Sequence, residues 1–332
     1  MKVLVAGAGW HDNLIQIIEI GFEEAGHETR VFSDLTNQYL DKTWLKKYSH
    51  RQMVSNFFKT IREFKPDLVF VSAGLRFPGW VIKEAREKAK IPVANWVVDN
   101  PAVYHSTLFH DLSFYSQVFC IDRVWMPALE FMNPGKVFYL SHAADHLSFR
   151  PLNGERDIDL VYAGNVGFKL PSAPAGYMRA GILDFLAQQG FKLKAFLPGL
   201  TAETLKVYPN LKKIDYYSGY QSHDQVNRLY NQAKIVLSLS GPHTFASLSP
   251  RTFDAAYSGS FQLVEYRSDI LEHFPGHCLP AFKNQSELLE LVSYYLNHRQ
   301  ERERLSAIAR SIALEKHTFK SRAKYICDII KS

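Results

Sequence analysis

The sequence predicts an α/β protein made of two Rossmann-like parallel-sheet domains. Three observations point there. Short β-rich runs alternate with helical stretches in the first half, a second such series begins at Ile158, and 332 residues suffice for two domains of roughly 100–200 residues each. Candidate strands of the first series are Lys2–Ala6, Glu28–Phe32, Asp67–Ser72, Val93–Val98, Gln117–Ile121 and Lys136–Leu140. Between the first two, Asp12 can cap a helix whose apolar Leu14, Ile17, Ile18 and Phe22 recur at helical spacing, and Gly26 can end it. The second series runs through Ile158–Ala163, Phe191–Phe196, Lys234–Leu239 and Phe261–Val264, and the chain after Ser286 reads as almost wholly helical. Ser141 to Gly154, rich in His, Asp, Pro and Asn, reads as a linker, which places the domain boundary near residue 150. Two such sheets are expected to face a central cleft, where ligands bind at the carboxyl ends of strands.

Composition narrows the class. Hydrophobic residues are 46% and charged residues 22%, values of an ordinary globular protein, which argue against a disordered or fibrous chain. No apolar run approaches the roughly 18 residues of a membrane-spanning helix, and the strand-like start shows no cleavable leader, so a cytoplasmic location is expected. Cys120, Cys278 and Cys327 are scattered and odd in number, which suggests buried thiols and neither a disulfide framework nor a zinc site. A net charge of +6 favours anionic partners. Part of it lies in Lys42, Lys46, Lys47, Arg51, Lys59, Arg62 and Lys65, interleaved with Trp44, Tyr48, Phe57, Phe58 and Phe64. That mixture fits peripheral contact with the inner face of a membrane, and fits better a solvated helix whose aromatic side is core.

The turn after the first strand, Gly7-Ala8-Gly9, invites a dinucleotide-binding reading, with Asp34 at a plausible distance for a ribose contact. Asn13 stands where the fingerprint wants a third glycine, so the signal is weak. The same turn carries His11, a candidate general base if a carboxylate orients its second ring nitrogen; Asp99, at the end of the fourth strand, is the candidate carboxylate. His11 equally reads as a hydrogen-bonding turn residue, and Asp99 with Asn100 as the closure of a turn before Pro101.

The most informative stretch is Ser240 to Asp269. Ser249 is a good N-cap and Pro250 a good first helical residue, so free amides of Arg251 and Thr252 are expected to point at an anion, with Arg251 adding a full positive charge. Asp254, one turn on, can reach a vicinal diol such as a ribose. In chemical terms this is a nucleoside diphosphate site, although the same residues also describe a capped helix with a surface ion pair.

These residues belong to a wider resemblance. NWVVDNP at 95–101, ADHLSFRP at 144–151, DLVYAGNVG at 159–167, SHDQVNRLYNQAKIVLSLS at 222–240, SPRTFDAAYSGSFQLVEY at 249–266 and KHTFKSRAKYI at 316–326 resemble GT-B glycosyltransferases of the CgeB-like, spore-maturation-protein-like group, with a C-terminal domain of the glycosyl transferases group 1 type. The resemblance implies an acceptor-side N-terminal domain over 1–150, a nucleotide-sugar donor domain over 151–315 and a helix over 316–332 that packs back on the first domain. In related families a Glu-x7-Glu pair precedes Ala-x-x-x-Gly and its second carboxylate binds the donor ribose. Asp254 matches that position, while Ala246 stands where the first carboxylate belongs, which leaves His243 and Thr244 to contact the donor sugar. Gly164, Asn165 and Gly167 match the turn that approaches the phosphates, Lys169 and Arg179 are possible charge partners, and Tyr220 matches the segment flanking the nucleobase.

The implied activity is hexosyl transfer from a nucleoside diphosphate sugar, UDP- or dTDP-linked, to a hydroxyl of a glycan, a lipid-linked glycan, a protein or a small molecule. No cofactor or catalytic metal is expected, and no nucleic acid partner. His11, assisted by Asp99, is the expected base if the reaction inverts. The alternatives are a sugar-nucleotide epimerase of the same architecture and a non-catalytic sugar-nucleotide-binding protein.

Overall fold

A computed structural model describes residues 1–8, 14–34, 43–72, 77–101, 111–167, 173–241 and 244–332. The chain divides into two compact units, one of Met1–Ser141 with Phe319–Ser332 and one of His142–Thr318.

The first unit is built on six parallel strands, β1 (Lys2–Ala8), β2 (Glu28–Asp34), β3 (Leu68–Ser72), β4 (Val93–Val97), β5 (Gln117–Cys120) and β6 (Val137–Tyr139), in the order β2-β1-β3-β4-β5-β6. The inner strands β1, β3, β4 and β5 are apolar on both faces because helices cover both. Helix α1 (Leu14–Glu24) buries Ile15, Ile17, Ile18 and Phe22, and Gly26 at φ +88° closes it. On the opposite face α2 (Thr43–Phe64) and α3 (Gly79–Glu87) enclose Leu4, Ala6, Val69, Val71, Val93 and Val97. Met53, Phe57, Ile61 and Phe64 of α2 are buried while Arg51, Lys59 and Arg62 are exposed, so Phe57 and Phe64 belong to the core and are not available to a bilayer. A short helix, α4 (Met126–Met132), precedes β6. Among the described residues no helix is long and apolar enough to cross a membrane. All three cysteines are buried and unpaired.

The second unit holds β7 (Ile158–Ala163), β8 (Leu193–Phe196), β9 (Asp215–Tyr217), β10 (Ala233–Ser238), β11 (Gln262–Glu265) and β12 (Ala281–Phe282), all parallel, in the order β12-β11-β10-β7-β8-β9. Its helices are α5 (Ala173–Gln188), α6 (Ala202–Val207), α7 (His223–Asn231), α8 (Pro250–Tyr257), α9 (Ile270–His273), α10 (Gln285–Asn297) and α11 (Arg299–Lys316). One face packs Leu160, Leu183, Ile235, Phe253, Leu288 and Val292 into the larger core, and the other packs Val161, Val236, Val226 and Tyr230 against Phe149.

The segment expected to be a linker is ordered. Ala144 pairs with Thr318 in a parallel bridge and donates its amide to the His317 carbonyl at 3.0 Å. Asp145 turns the chain by accepting from the amides of Leu147 and Ser148. The last helix, α12 (Phe319–Lys331), belongs to the first unit. It crosses α1 so closely that a Cβ on Gly21 would lie 2.7 Å from the Phe319 carbonyl carbon, and Phe319 meets Trp96 edge-on at 6.3 Å. Arg322 donates to the Ser141 carbonyl and hydroxyl, both at 2.9 Å.

Candidate functional site

In the second sheet the strand order reverses at β7, whose neighbours are β8 on one side and β10 on the other. Open parallel sheets take ligands outside the carboxyl ends of strands at such a reversal. Two loops flank it, Gly164–Gly167 after β7 and the segment from Leu239 after β10, and helix α8 follows the second.

The glycine loop is held by its own atoms. The Asn165 side-chain oxygen accepts the Gly167 amide at 2.6 Å, and the Val166 amide reaches the Pro198 carbonyl. Helix α5 lies against it: a Cβ on Gly176 would stand 2.1 Å from the Gly167 carbonyl oxygen, so only glycine permits this approach. Arg179, two turns into α5, spans the reversal by donating to the carbonyls of Asn165 at 3.2 Å and Ser240 at 2.6 Å. The second loop is fixed by Glu265 at the end of β11. Its Oε2 accepts the amides of Ser240 and Gly241, and its Oε1 pairs with Arg267 at 2.9 Å. Among the described residues, four buried polar atoms on and around these loops have no hydrogen-bond partner: Arg179 Nε, Ser240 Oγ, Thr244 Oγ1 and Arg267 Nε. Buried polar groups are normally satisfied, so two unpaired hydroxyls and two unpaired guanidinium N–H groups on these loops mark a part of the fold where a polar ligand fits.

Helix α8 begins as its sequence predicts, with Ser249 as N-cap and Pro250 at its first turn. The expected free amides are not there: the Arg251 amide donates to Ser249 Oγ and the Thr252 amide to the Ser249 carbonyl. Thr252 itself is fully buried, its hydroxyl 2.6 Å from that of Ser238. What remains to an anion is the Arg251 guanidinium, about one third exposed, together with the partial positive charge of the helix start.

Asp254 is placed differently from its expected reach toward a diol. Its side chain is only 4% exposed; Oδ2 pairs with Arg251 at 3.2 Å and Oδ1 accepts the Asp145 amide at 2.9 Å. Burial pushes its carboxyl up to about 6, against the pull of Arg251 and His223. The Asp145 carboxylate in turn meets His223 Nδ1 at 2.6 Å. Burial raises that group as well, but the bonds from His223 and Ser148 outweigh it and hold Asp145 below the usual carboxylate range. Phe149, fully buried, lies under both ends, its ring 5.6 Å from that of His223 and 6.0 Å from the Arg251 guanidinium carbon. Three segments far apart in sequence thus meet in one chain of contacts: the Arg251–Asp254 ion pair, the Asp145 amide on Asp254, and the Asp145 carboxylate on His223.

Of the other expected residues, Tyr220 is 55% exposed and leads into the Ser222–Gln225 capping box that starts α7. Ala246 is buried and its carbonyl accepts the Asp269 amide. His11, Lys169 and His243 lie outside the described residues. Asp99 accepts the Asn100 amide at 2.8 Å, the turn-closing role. It follows β4 and His11 follows β1, with β3 between them, so the sheet sets their strands about 10 Å apart. Sequence reasoning missed Asp145, His223, Glu265 and Arg267. The Asp-x-x-Ser turn at 145–148 and the capping box beside His223 were the available signals.

Residues 179–328 match the family model described as glycosyl transferase-like. Spore protein CgeB of Bacillus subtilis (strain 168) is 24% identical over 265 residues, covering 74% of this chain and 77% of that protein. Among solved structures, sucrose-phosphate synthase from Thermosynechococcus elongatus aligns with a TM-score of 0.70 at 11% identity over 99% of this chain and 98% of its own. HepE of Anabaena, in complex with UDP-glucose, aligns with a TM-score of 0.68 at 12% identity over 100% and 99%. The chain is therefore CgeB-like in sequence and GT-B in fold, with a glycosyl transferase-like C-terminal half.

Proposed function

We propose that this protein transfers a glycosyl group from a nucleoside diphosphate sugar to a hydroxyl acceptor. The observation that carries the reading is the Arg251 guanidinium, fixed by the buried Asp254 at a helix start inside the stretch that matches the glycosyl transferase-like model. The unsatisfied Arg179 Nε, Ser240 Oγ and Thr244 Oγ1 support it, since a phosphate or sugar oxygen there relieves their desolvation. The UDP-glucose complex of HepE makes UDP-sugars the first donors to test, with dTDP-sugars next.

In the transfer, the acceptor oxygen bonds to the anomeric carbon as the bond from that carbon to the diphosphate oxygen breaks. Arg251 and the helix start stabilise the negative charge arriving on the leaving diphosphate, a fixed positive field that takes the place of a metal ion. His11 with Asp99 takes the acceptor proton in an inverting reaction. The acceptor belongs to the glycans, lipid-linked glycans, proteins or small hydroxylated metabolites, and the protein works in the cytoplasm.

The test is release of UDP from UDP-glucose, followed with EDTA present and with a panel of hydroxyl acceptors. Acceptor-stimulated release that survives EDTA and is lost in His11→Ala supports the reading; abolition by EDTA removes metal independence, and full turnover in His11→Ala removes that base. Ala246, in place of a carboxylate, favours one second reading, a sugar-nucleotide-binding protein without turnover. Tight binding of UDP-glucose with no release under any condition selects it.

A further inference from the structure

Glu265 ends β11 with an acidic side chain only 13% exposed, a residue that needs partners at such a position. The strand register supplies them. Ser238 of β10 lies beside Val264, so Glu265 stands level with the residues that leave β10, and its Oε2 accepts the amides of Ser240 at 2.9 Å and Gly241 at 3.1 Å. Two consecutive amides converging on one oxygen, the second from a residue with φ +76°, form the kind of backbone hollow that binds anions. Here the chain fills the hollow with its own carboxylate. The carbonyls of the same two residues are held as well, Ser240 by Arg179 at 2.6 Å and Gly241 by Arg267 at 2.8 Å, and Arg267 closes the set on Glu265 Oε1.

Every backbone polar group of Ser240 and Gly241 is therefore bonded to a charged side chain, where an ordinary surface loop would leave them to water. The turn is also sterically narrow, since a Cβ on Gly241 would stand 2.9 Å from that of Ala175. Taking a glutamate and an arginine from water is costly even when they pair, and this pair is placed on a turn at the strand reversal, where ligands of such sheets enter. A turn held rigid before the ligand arrives lowers the cost of binding. We propose that Glu265, paired with Arg267, is a positioning residue for donor binding: its carboxylate occupies the Ser240 and Gly241 amides in place of a ligand anion, which fixes the turn beside the site and leaves the donor diphosphate to Arg251. The inference rests on the donor reading given above, and in it Glu265 touches no substrate.

The test is calorimetric titration of the full chain with whichever of UDP, GDP and dTDP the wild type binds, run well below the melting temperature of each variant so that only folded protein is read. Glu265→Ala empties the hollow and is expected to bind the nucleotide about tenfold more weakly than wild type. Sodium formate, a carboxylate small enough to enter the space left, is expected to restore most of that affinity in the variant and to leave the wild type unchanged, with sodium chloride at equal ionic strength as the control. Glu265→Gln, which keeps an oxygen for both amides, is expected to bind within about threefold of wild type. The double variant Glu265→Ala/Arg267→Ala leaves neither member of the pair buried alone and serves if the single variant folds poorly; the same loss is expected of it. Full affinity in the alanine variants, even with a lower melting temperature, makes Glu265 a structural residue alone and overturns the proposal, as does a loss that neither formate nor glutamine recovers; the donor reading survives either result. Absence of binding of UDP, GDP and dTDP to the wild type removes the donor reading itself, and this inference with it.

Discussion

At the scale of single residues, the buried Asp254 sets a pH dependence of unusual sign. Its folded-state value, about 6, lies above its unfolded one, so the stability it contributes is fully present below about pH 4 and is lost as pH rises through 6. Asp254→Asn keeps an acceptor for the Asp145 amide and removes the buried charge. Thermal melts of the variant and the wild type should therefore diverge between pH 4 and 7, with the variant gaining relative stability as pH rises, by an amount on the order of a few kcal/mol. Asp145→Asn should behave oppositely. The Asp145 carboxyl is held down, so its contribution is present above the unfolded value and is lost in acid, and the variant's deficit at neutral pH should vanish there. A parallel pair of pH profiles would refute this chain of contacts. The sequence signals the turn at Asp145 and the cap beside His223 but not their meeting: Asp145 lies 109 residues from Asp254 and 78 from His223, and local patterns of capping and periodicity carry no information about partners so distant.

At the scale of elements, the packing of α5 on the glycine loop ties helix sequence to site geometry. Gly176→Ala places a methyl against the Gly167 carbonyl, an overpacking worth roughly 1–3 kcal/mol. A melting point lower by several degrees, together with weaker nucleotide binding, is the expected result. An unchanged melting point would mean that the approach is looser than described. Elements of this kind were largely legible. Among the described residues, ten of the twelve strands stand within a few residues of the positions their apolar runs predict. The two that were missed, β9 and β12, are the edge strands of the second sheet, only three and two residues long, and β9 is exposed throughout, so neither carries a burial pattern to read. The start of α8 was legible as a cap, but the cap consumes the amides that a ligand was expected to use.

At the scale of the whole molecule, the first unit is completed by the last segment of the chain. Removing Phe319–Ser332 strips Phe319 from Trp96 and Gly21, and Arg322 from Ser141. Loss of a buried aromatic alone costs about 3–5 kcal/mol, a large share of a domain's stability of roughly 5–15 kcal/mol, so the truncated chain should express insolubly or melt in two separated steps. A single transition at the parent temperature would contradict that dependence. In the second unit, the proposed anchor of a donor diphosphate is Arg251. Calorimetric titration of wild type and Arg251→Ala with UDP, GDP and dTDP tests it most directly. One of the three should bind the wild type and lose at least tenfold in the variant, the weight of a charge-assisted contact; equal affinity in both proteins, or no binding to either, would contradict the account.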